Sequence, residues 1–600
     1  MCSLKHLFAL LLFVCLFLSL QAQYITHGPA IGGLKPNSVR MYLRTSFASS
    51  FTVQLSEDSM FSKTRDYIGQ TLAQNDTTSL LTLHWLEPNT LYYYRVMFNG
   101  QLDMRMGSFT TAPPIGKKGH YVFATGSCQE TPNMKVFDAI PLHQPRLFLH
   151  TGDWTYPSYQ LDNSYPTNYN TVKKAWRKHY EEDRMKDMLL TVPIDYVPDD
   201  DDGFGPSRDF WWGVGFSQDP VTDVITNYFT HDTITQIMRS NVMKGYTDFF
   251  PGYTELPDTS IGLYHSFEMG NCKFIFLDTR SFADVPTKAY QYDANTNLWS
   301  FNPPAGHKLL GDKQMQWLKD ELKNATADWK FLVMGVPFNK NLRLLIDFAL
   351  NYQQLALSIA GVNGTGFRLS AGFAGYWAGF PEEQNDLLDF IAANELKDII
   401  VVSGDTHHNV MDDGTNAGLP EINASGLSVT GTNLAYFLDL FGQLIPNAPS
   451  MQNEIWNGGG NGLGNNNFKN AFGKIEVFNA DSVKLYIIDE DNEVISAITI
   501  PHSGKTFPEP EVNNEVLMNV YPVPPQGGHI VVQLNPDYQI FFQDRCYLTD
   551  MAGRQVAEIS VSEFIFNTAL LNIDSDMPHG AYLLVYEHGK DKSVKKILLP

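Results

Sequence analysis

At the usual ~150 residues per domain, a chain of 600 residues allows about four domains and buries at least one large core, which excludes a peptide or a small disulfide scaffold. Lysine and arginine number 43 against 65 aspartates and glutamates, a net charge of −22, so there is no basic surplus to grip a phosphate backbone and a nucleic-acid scaffold role is disfavoured. With 43% apolar, 13% aromatic and only 18% charged residues, the chain falls outside the disordered, highly charged class.

Residues 1–22 read as a secretory signal peptide. Lys5 and His6 precede an uncharged apolar run from Leu7 to Leu20, short for a membrane span of ~20 residues, and Ala22 offers a small residue for cleavage. No transmembrane segment is expected in the mature chain. Processing leaves Cys128, Cys272 and Cys546, an odd and scattered set that implies no disulfide framework. Over residues 23–113, short alternating runs such as Val39-Arg40-Met41-Tyr42-Leu43 predict a small β-sandwich. The stretch Leu86-Glu87-Pro88-Asn89-Thr90-Leu91-Tyr92, followed by Gly107-Ser108-Phe109-Thr110-Thr111, resembles the last strands of a fibronectin type III domain.

Residues 118–505 alternate buried β-type runs with helical periodicity, which predicts an α/β core. The strand candidates are Tyr121–Ala124, Leu147–Leu149, Phe274–Leu277, Phe331–Met334 and Ile399–Val402; helices are expected around Gln314–Leu322 and Asp386–Ile391. Apolar stretches at Leu344–Ile359 and Leu434–Ile445 read as core or pocket-cover helices, and the glycine- and asparagine-rich segment from Gly458 to Asn467 as a loop. Polar residues cluster just past the carboxyl ends of the strands, the edge where α/β sheets bind ligands.

Residues 516–600 form a third region rich in short strands, a second small β-sandwich. Tyr547-Leu548-Thr549-Asp550-Met551-Ala552-Gly553-Arg554, then Met577-Pro578-His579-Gly580-Ala581-Tyr582 and a terminal Lys595-Lys596-Ile597 resemble the C-terminal sorting domain of the type IX secretion system. That resemblance implies export through the periplasm of a Gram-negative, Bacteroidetes-type cell to its surface or medium, with the type IX machinery as a partner.

The chemistry concentrates at two Gly-Asp devices. His150-Thr151-Gly152-Asp153-Trp154-Thr155-Tyr156 follows one buried run and Ser403-Gly404-Asp405-Thr406-His407-His408 follows another. A glycine lets the chain turn tightly after a strand, which leaves the aspartate on the sheet edge, free to bridge cations. Singly, each element has a plainer reading: Tyr156 as a cleft aromatic, His150 as a core histidine, Cys128 as a packed thiol, Arg280 as an ion-pair partner of Asp278. Together, Gly126-Ser127-Cys128, His150-x-Gly152-Asp153-x-x-Tyr156, Leu277-Asp278-Thr279-Arg280, Gln314-x-x-Trp317-Leu318, Trp377-x-Gly379-Phe380-Pro381 and Ser403-Gly404-Asp405-x-His407 resemble, in this order, the PhoD-type alkaline phosphatase family.

The resemblance implies a metallophosphoesterase fold, a two-sheet αββα sandwich. It also implies hydrolysis of phosphate monoesters or diesters of small molecules by a metal-bound hydroxide. Carried over by position, Cys128, Asp153 and Tyr156 would ligate iron(III), Asp153 would bridge to calcium, and Asp405 and His407 would complete the site; Zn2+ or another divalent ion is the alternative. Arg280 joins Asp153, Asp405 and His407 as a catalytic candidate, while His150, Asp278 and His408 are expected to support the ligands. The family's Trp-Asp-Asp-His-Asp/Glu segment is replaced here by Val197-Pro198-Asp199-Asp200-Asp201-Asp202-Gly203, which lacks both tryptophan and histidine. Asp200 and Asp201 are the expected ligands of that run, with a register ambiguous by one residue. The sequence bears on two other readings. A purple acid phosphatase should show Gly-Asn-His-Glu/Asp and Gly-His-x-His, which do not occur, and a catalytically weakened metal-binding surface protein would follow from the missing histidine.

Overall fold

The computed structural model describes residues 23–131, 133–156, 167–181, 183–203, 236–257, 262–284, 286–293, 295, 298–351, 373–428, 455–461, 469–503, 518–526, 529–534, 544–551, 554–559, 568–573, 577–578, 580–588 and 591–599. The expected signal peptide, most of both apolar stretches and part of the glycine- and asparagine-rich segment lie outside the described residues. The chain divides into two compact units, residues 1–505 and 506–600.

Two sheets form the centre of the first unit. In one, the strands run in the order Ile194–Tyr196, Phe148–His150, His120–Gly126, Ala471–Phe478, Ser482–Asp489, Val494–Pro501; the first three are parallel and the rest antiparallel. In the other, the order is His265–Met269, Cys272–Leu277, Trp329–Met334, Ile399–Ser403, Glu421–Ala424, Asn409–Asp412, Gly460–Asn461, and Cys272–Leu277 through Glu421–Ala424 run parallel.

Strand alternation explains the layering, because successive side chains leave a strand on opposite faces. Phe123, Leu149, Phe274, Phe276, Phe331, Val333, Ile400 and Val402 fill the space between the sheets. There the Phe123 ring meets Phe274 at 4.9 Å in an edge-on pair. The residues between them in sequence point the other way. Ala124, Phe148, Ile194 and Tyr196 pack on helices Tyr169–Glu181 and Asp183–Leu189 through Trp176, Tyr180, Met185 and Met188. Ile275, Leu277, Leu332, Met334 and Val401 pack on helices Gly311–Asn324 and Pro381–Ala393 through Leu318, Leu322, Leu387 and Ile391. The result is a helix–sheet–sheet–helix sandwich whose fully buried side chains are each worth about 1.5–3 kcal/mol of burial.

Ahead of this core, seven antiparallel strands form a three-stranded sheet, Ile25–Gly32, Ser38–Thr45 and Thr78–His84, and a four-stranded one, Arg65–Thr71, Ser49–Ser56, Leu91–Phe98 and Gln101–Thr110. They are seated on the α/β core by specific polar contacts: the Tyr94 hydroxyl and the Ser108 N–H both donate to the Leu190 carbonyl at 3.0 Å, and Arg40 Nη1 donates to the Gly252 carbonyl at 2.6 Å. Gly107 permits this approach, since a Cβ there would lie 2.1 Å from the Leu190 oxygen.

The second unit holds a three-stranded sheet, Met518–Gln526, His529–Leu534 and Thr568–Asn572, and a four-stranded sheet, Gln555–Ile559, Arg545–Asp550, Gly580–His588 and Asp591–Leu599, around Ile530, Val532, Leu548, Leu584 and Ile597. Cys546 is buried in this core and Cys272 in the inter-sheet layer, each as a small apolar side chain. Among the described residues no helix is long and apolar enough to cross a membrane.

Candidate metal centre

The carboxyl ends of the parallel strands of both sheets meet at one edge, and five of these strands deliver a polar side chain on the following loop. His120–Gly126 delivers Cys128, Phe148–His150 delivers Asp153, Ile194–Tyr196 the aspartate run, Cys272–Leu277 Arg280, and Ile399–Ser403 Asp405 and His407. Cys128, Asp153, Asp405 and His407 all hold left-handed backbone, with φ of 62°, 55°, 69° and 56°. Such residues persist only where the surroundings dictate them, and they gather at functional sites. Gly152, at φ 100°, lets Asp199 close in: a Cβ there would sit 2.3 Å from Asp199 Cβ.

The side chains fall into two sets. Ligand atoms of Cys128, Asp153 and His407 lie within 4.8 Å of one another, and so do those of Asp153, Asp199, Asp200 and Asp405. Asp153 belongs to both. Its Oδ2 accepts from the Tyr156 hydroxyl at 3.1 Å and the Cys128 thiol at 3.4 Å, and its Oδ1 from the Asp201 N–H at 3.1 Å.

So many acids in one buried place cannot all ionise unaided. Burial, then the charges of Asp200, Asp199, Asp201 and Asp405, push the Asp153 carboxyl well above its ordinary range. Burial followed by the Asp153 charge does the same to the Cys128 thiol and the Tyr156 phenol. Asp405 is pushed up to about 7 by burial and Asp200, against the opposing pull of Arg280, while burial lowers His407 to about 4. Asp199 Oδ2 is buried without a hydrogen-bond partner among the described residues. It faces Gly335, where a Cβ would lie 2.7 Å from the Asp199 carboxyl carbon, so the glycine keeps room for this carboxylate. Shared acidic donors, an orphaned carboxylate oxygen and a neutral imidazole are what a site for two or more cations requires, and the residues fit one.

Arg280 supplies positive charge to this cluster. Its Nε donates to Asp199 Oδ1 and its Nη2 to Asp405 Oδ2 at 2.5 Å, with Asp200 Oδ1 3.8 Å away. The plainer reading, an ion pair with Asp278, is not what the structure contains. Asp278 instead accepts the backbone N–H groups of Arg280 at 3.1 Å and Leu263 at 2.9 Å, which fixes the turn that carries Arg280.

The four consecutive aspartates separate by role. Asp199 caps the short 3-10 turn Asp200–Asp202 in a reciprocal capping box with Asp202. Asp202 is buried, and its carboxylate accepts the N–H groups of Asp153 at 2.9 Å, Asp199 at 3.0 Å and Thr155 at 2.8 Å, plus the Thr155 hydroxyl at 3.1 Å. It ties the two metal-site loops together. Asp201 is half-buried beside this cluster, while the Asp202 carboxylate is held by those donors. Of the expected pair, Asp200 lies in the carboxylate set, while Asp201 touches Asp153 through its backbone; Asp199, missed in the sequence, is the other aspartate of the run in that set.

The expected supporting histidines part ways. His150 does not reach the cluster: it is buried against Phe148, Trp154 and Tyr196, neither ring nitrogen has a hydrogen-bond partner among the described residues, and burial lowers its pKa to about 3. It is a neutral packing residue, because the strand turns it toward the helix layer. His408 braces the loop of Asp405 and His407, its Nδ1 bonded to the Thr406 carbonyl at 2.5 Å and its N–H donating to Ser425 Oγ at 3.1 Å. Gly375, unremarked in the sequence, lies against Arg280, where a Cβ would sit 3.4 Å from Nη1 of the guanidinium.

Comparison with known proteins places this geometry in a family context. Residues 222–434 match the PhoD-like phosphatase family and residues 519–599 the secretion system C-terminal sorting domain. Alkaline phosphatase D of Bacillus subtilis (strain 168) is 23% identical over 339 residues, 54% of this chain and 52% of the relative, so the chain spans about half the length of the curated relative it matches. A solved structure of PhoD is similar at a TM-score of 0.54 with 17% identity, over 78% of this chain and 92% of that one, which is a likeness of fold. Purple acid phosphatase PPD1 from yellow lupin (Lupinus luteus) seeds reaches a TM-score of only 0.44 at 12% identity, over 79% of this chain and 74% of that one, too low to carry an argument. The family match takes in Arg280, Asp405 and His407. Cys128, Asp153, Tyr156 and the aspartate run lie outside it, and their assignment rests on geometry.

Proposed function

We propose that the chain is an exported, metal-dependent phosphoesterase that hydrolyses monoesters or diesters of phosphate, with the catalytic machinery in residues 118–505. The observation that carries this reading is the sharing of Asp153 between a thiol–imidazole set and a carboxylate set, with the Tyr156 phenol bonded to the shared carboxylate. Cys128, Tyr156, His407 and Asp153 would hold iron(III), because thiolate and phenolate are strongly donating anions suited to a trivalent ion. Asp153, Asp199, Asp200 and Asp405 would hold calcium, a hard cation that prefers carboxylate oxygen. Such ions, when bound, lower the pKa of water to give hydroxide at moderate pH and neutralise charge on phosphoryl oxygens.

The chain's own residues hold that arrangement in place. Asp202 fixes the Asp153 and Asp199 backbones, and Arg280 spaces Asp199 from Asp405 while balancing part of their charge. A sorting domain at residues 519–599 indicates export, which supports a surface or secreted enzyme acting on small phosphate esters outside the cell, with residues 1–22 as its signal peptide. The N-terminal sandwich, residues 23–113, is read as fibronectin III-like and residues 516–600 as the type IX sorting region.

Asp153→Ala tests the reading. Turnover of a nitrophenyl phosphate ester and bound metal should both be lost while far-ultraviolet circular dichroism stays native; wild-type turnover in this variant would remove the basis of the proposal.

A further inference from the structure

Asp405 stands at the apex of a three-residue turn. The Thr406 N–H donates to the Gly404 carbonyl at 2.9 Å, and Asp405 between them holds a φ of 69°. A turn closed across a single residue of positive φ is rare and strained, and it persists only where neighbouring groups impose it. The Gly404 N–H, at the start of the turn, is held by the Gly335 carbonyl at 2.7 Å.

The group that closes the turn from the other side is a side chain of the adjacent strand. Glu421–Ala424 pairs in parallel with Ile399–Ser403 and places Asn423 level with Ser403. Ile422 and Ala424 enter the layer between the sheets, so Glu421 and Asn423 leave the strand on its opposite face. Asn423 is fully buried. Its Nδ2 donates to the Gly404 carbonyl at 2.7 Å and to Ser403 Oγ at 3.0 Å, while its Oδ1 accepts from the Thr406 hydroxyl at 2.6 Å. These partners dictate which way the amide points. A carbonyl oxygen can only accept, and the Ser403 hydroxyl hydrogen is committed to Glu421 Oε1 at 2.5 Å, so the NH2 group must face both. Asn423 therefore grips the peptide that leads into Asp405 and the side chain of the residue that follows it.

We propose that Asn423 is a positioning residue: it keeps the Asp405 turn closed and thereby sets the calcium affinity of the carboxylate set, an inference that rests on the reading above in which that set holds calcium. It acts through Asp405 rather than as a ligand. Hydrogen-bonding partners behind a metal ligand are typically worth about 10- to 100-fold in metal affinity, and Asn423 holds its ligand from both sides.

The test is calorimetric titration of calcium into the full-length protein from which calcium has been removed, for the wild type, Asn423→Ala, Thr406→Val and the double variant. Denaturant unfolding of the same calcium-free samples is measured in parallel, because a merely structural residue would move that stability and leave the calcium affinity of the folded protein alone. Asn423→Ala is expected to weaken calcium about tenfold or more. Thr406→Val keeps the shape of its side chain and loses only the hydroxyl that Asn423 accepts, so it should weaken calcium in the same direction by less. The double variant should match Asn423→Ala within about twofold, since the two changes remove one shared contact. An Asn423→Ala protein that is less stable but binds calcium within about twofold of the wild type would overturn the proposal. Should Asn423→Ala fail to fold, Thr406→Val decides alone, and wild-type calcium affinity in that variant would overturn it equally. A wild-type protein that takes up no calcium would instead overturn the calcium reading of the carboxylate set, and this inference with it.

Discussion

Removing the Asp202 carboxylate should loosen the metal site without touching a ligand. Four buried donors converge on it: the N–H groups of Asp153, Asp199 and Thr155 and the Thr155 hydroxyl, all between 2.8 and 3.1 Å. A buried donor left without an acceptor costs about 1–3 kcal/mol, and water entering the vacated space satisfies some of them. The low end of that range over the four donors gives about 4 kcal/mol for Asp202→Ala. Asp202→Asn keeps one acceptor oxygen and should lose about 2 kcal/mol, while Thr155→Ala, which removes only the hydroxyl, should lose about 1 kcal/mol or less. The assay is denaturant unfolding of the metal-free protein followed by tryptophan fluorescence, with metal content measured in parallel, because displacing the Asp153 and Asp199 backbones should weaken cation binding too. A loss below about 1 kcal/mol for Asp202→Ala, with metal binding intact, would refute the idea that this carboxylate joins the two loops.

Further outcomes are expected. Loaded with iron(III), the protein should be coloured by charge transfer from the Tyr156 phenolate and Cys128 thiolate, and Tyr156→Phe should shift or weaken the visible band; a colourless, active protein containing only zinc would contradict that ligand set. Asp201→His should narrow the gap between aryl and alkyl esters by returning an imidazole to the edge, and an unchanged gap would show that Asp201 does not face the leaving oxygen. The buried pair of His265 and Asp195, 2.9 Å apart, joins the two sheets. Burial pulls the His265 pKa down, but the Asp195 charge and hydrogen bond outweigh it and raise it above 6.5. Its contribution is therefore complete below pH ~6.5 and is lost as pH rises through the higher folded value. His265→Gln should accordingly destabilise most at pH 6 and less at pH 9, as read by denaturant unfolding; a gap that does not change with pH would contradict the charged pair.

Much of the scaffold was legible because strand signals are local. Uninterrupted apolar runs such as Phe274–Leu277 and Ile399–Val402 demand burial on both faces, and each ends in a polar turn that marks the ligand edge. The two Gly-Asp devices could be read for the same reason. The division of labour within Asp199–Asp202 could not, because four identical side chains differ only in where a short turn points them. One signal did exist: an aspartate followed three positions later by another acidic residue is the spacing of a capping box, and it singles out Asp199 and Asp202 as the reciprocal pair. The error over His150 has a simple origin. It is the last residue of its strand, and strand alternation turns it to the helix layer, away from the loop that carries Asp153. The pairing of Arg280 depends on contacts between distant segments, and nothing in Leu-Asp-Thr-Arg announces Asp199, beyond a strand of the other sheet, or Asp405 as its partners.

The central claim is that the clustered acids are a working metal centre. It is tested most directly by measuring turnover of a nitrophenyl phosphate ester before and after chelation, with the metal content of the same samples determined by elemental analysis. Loss of turnover on chelation, recovery on adding back the ions found, and iron with calcium as those ions are the predicted results. Full turnover by demonstrably metal-free protein would contradict the account.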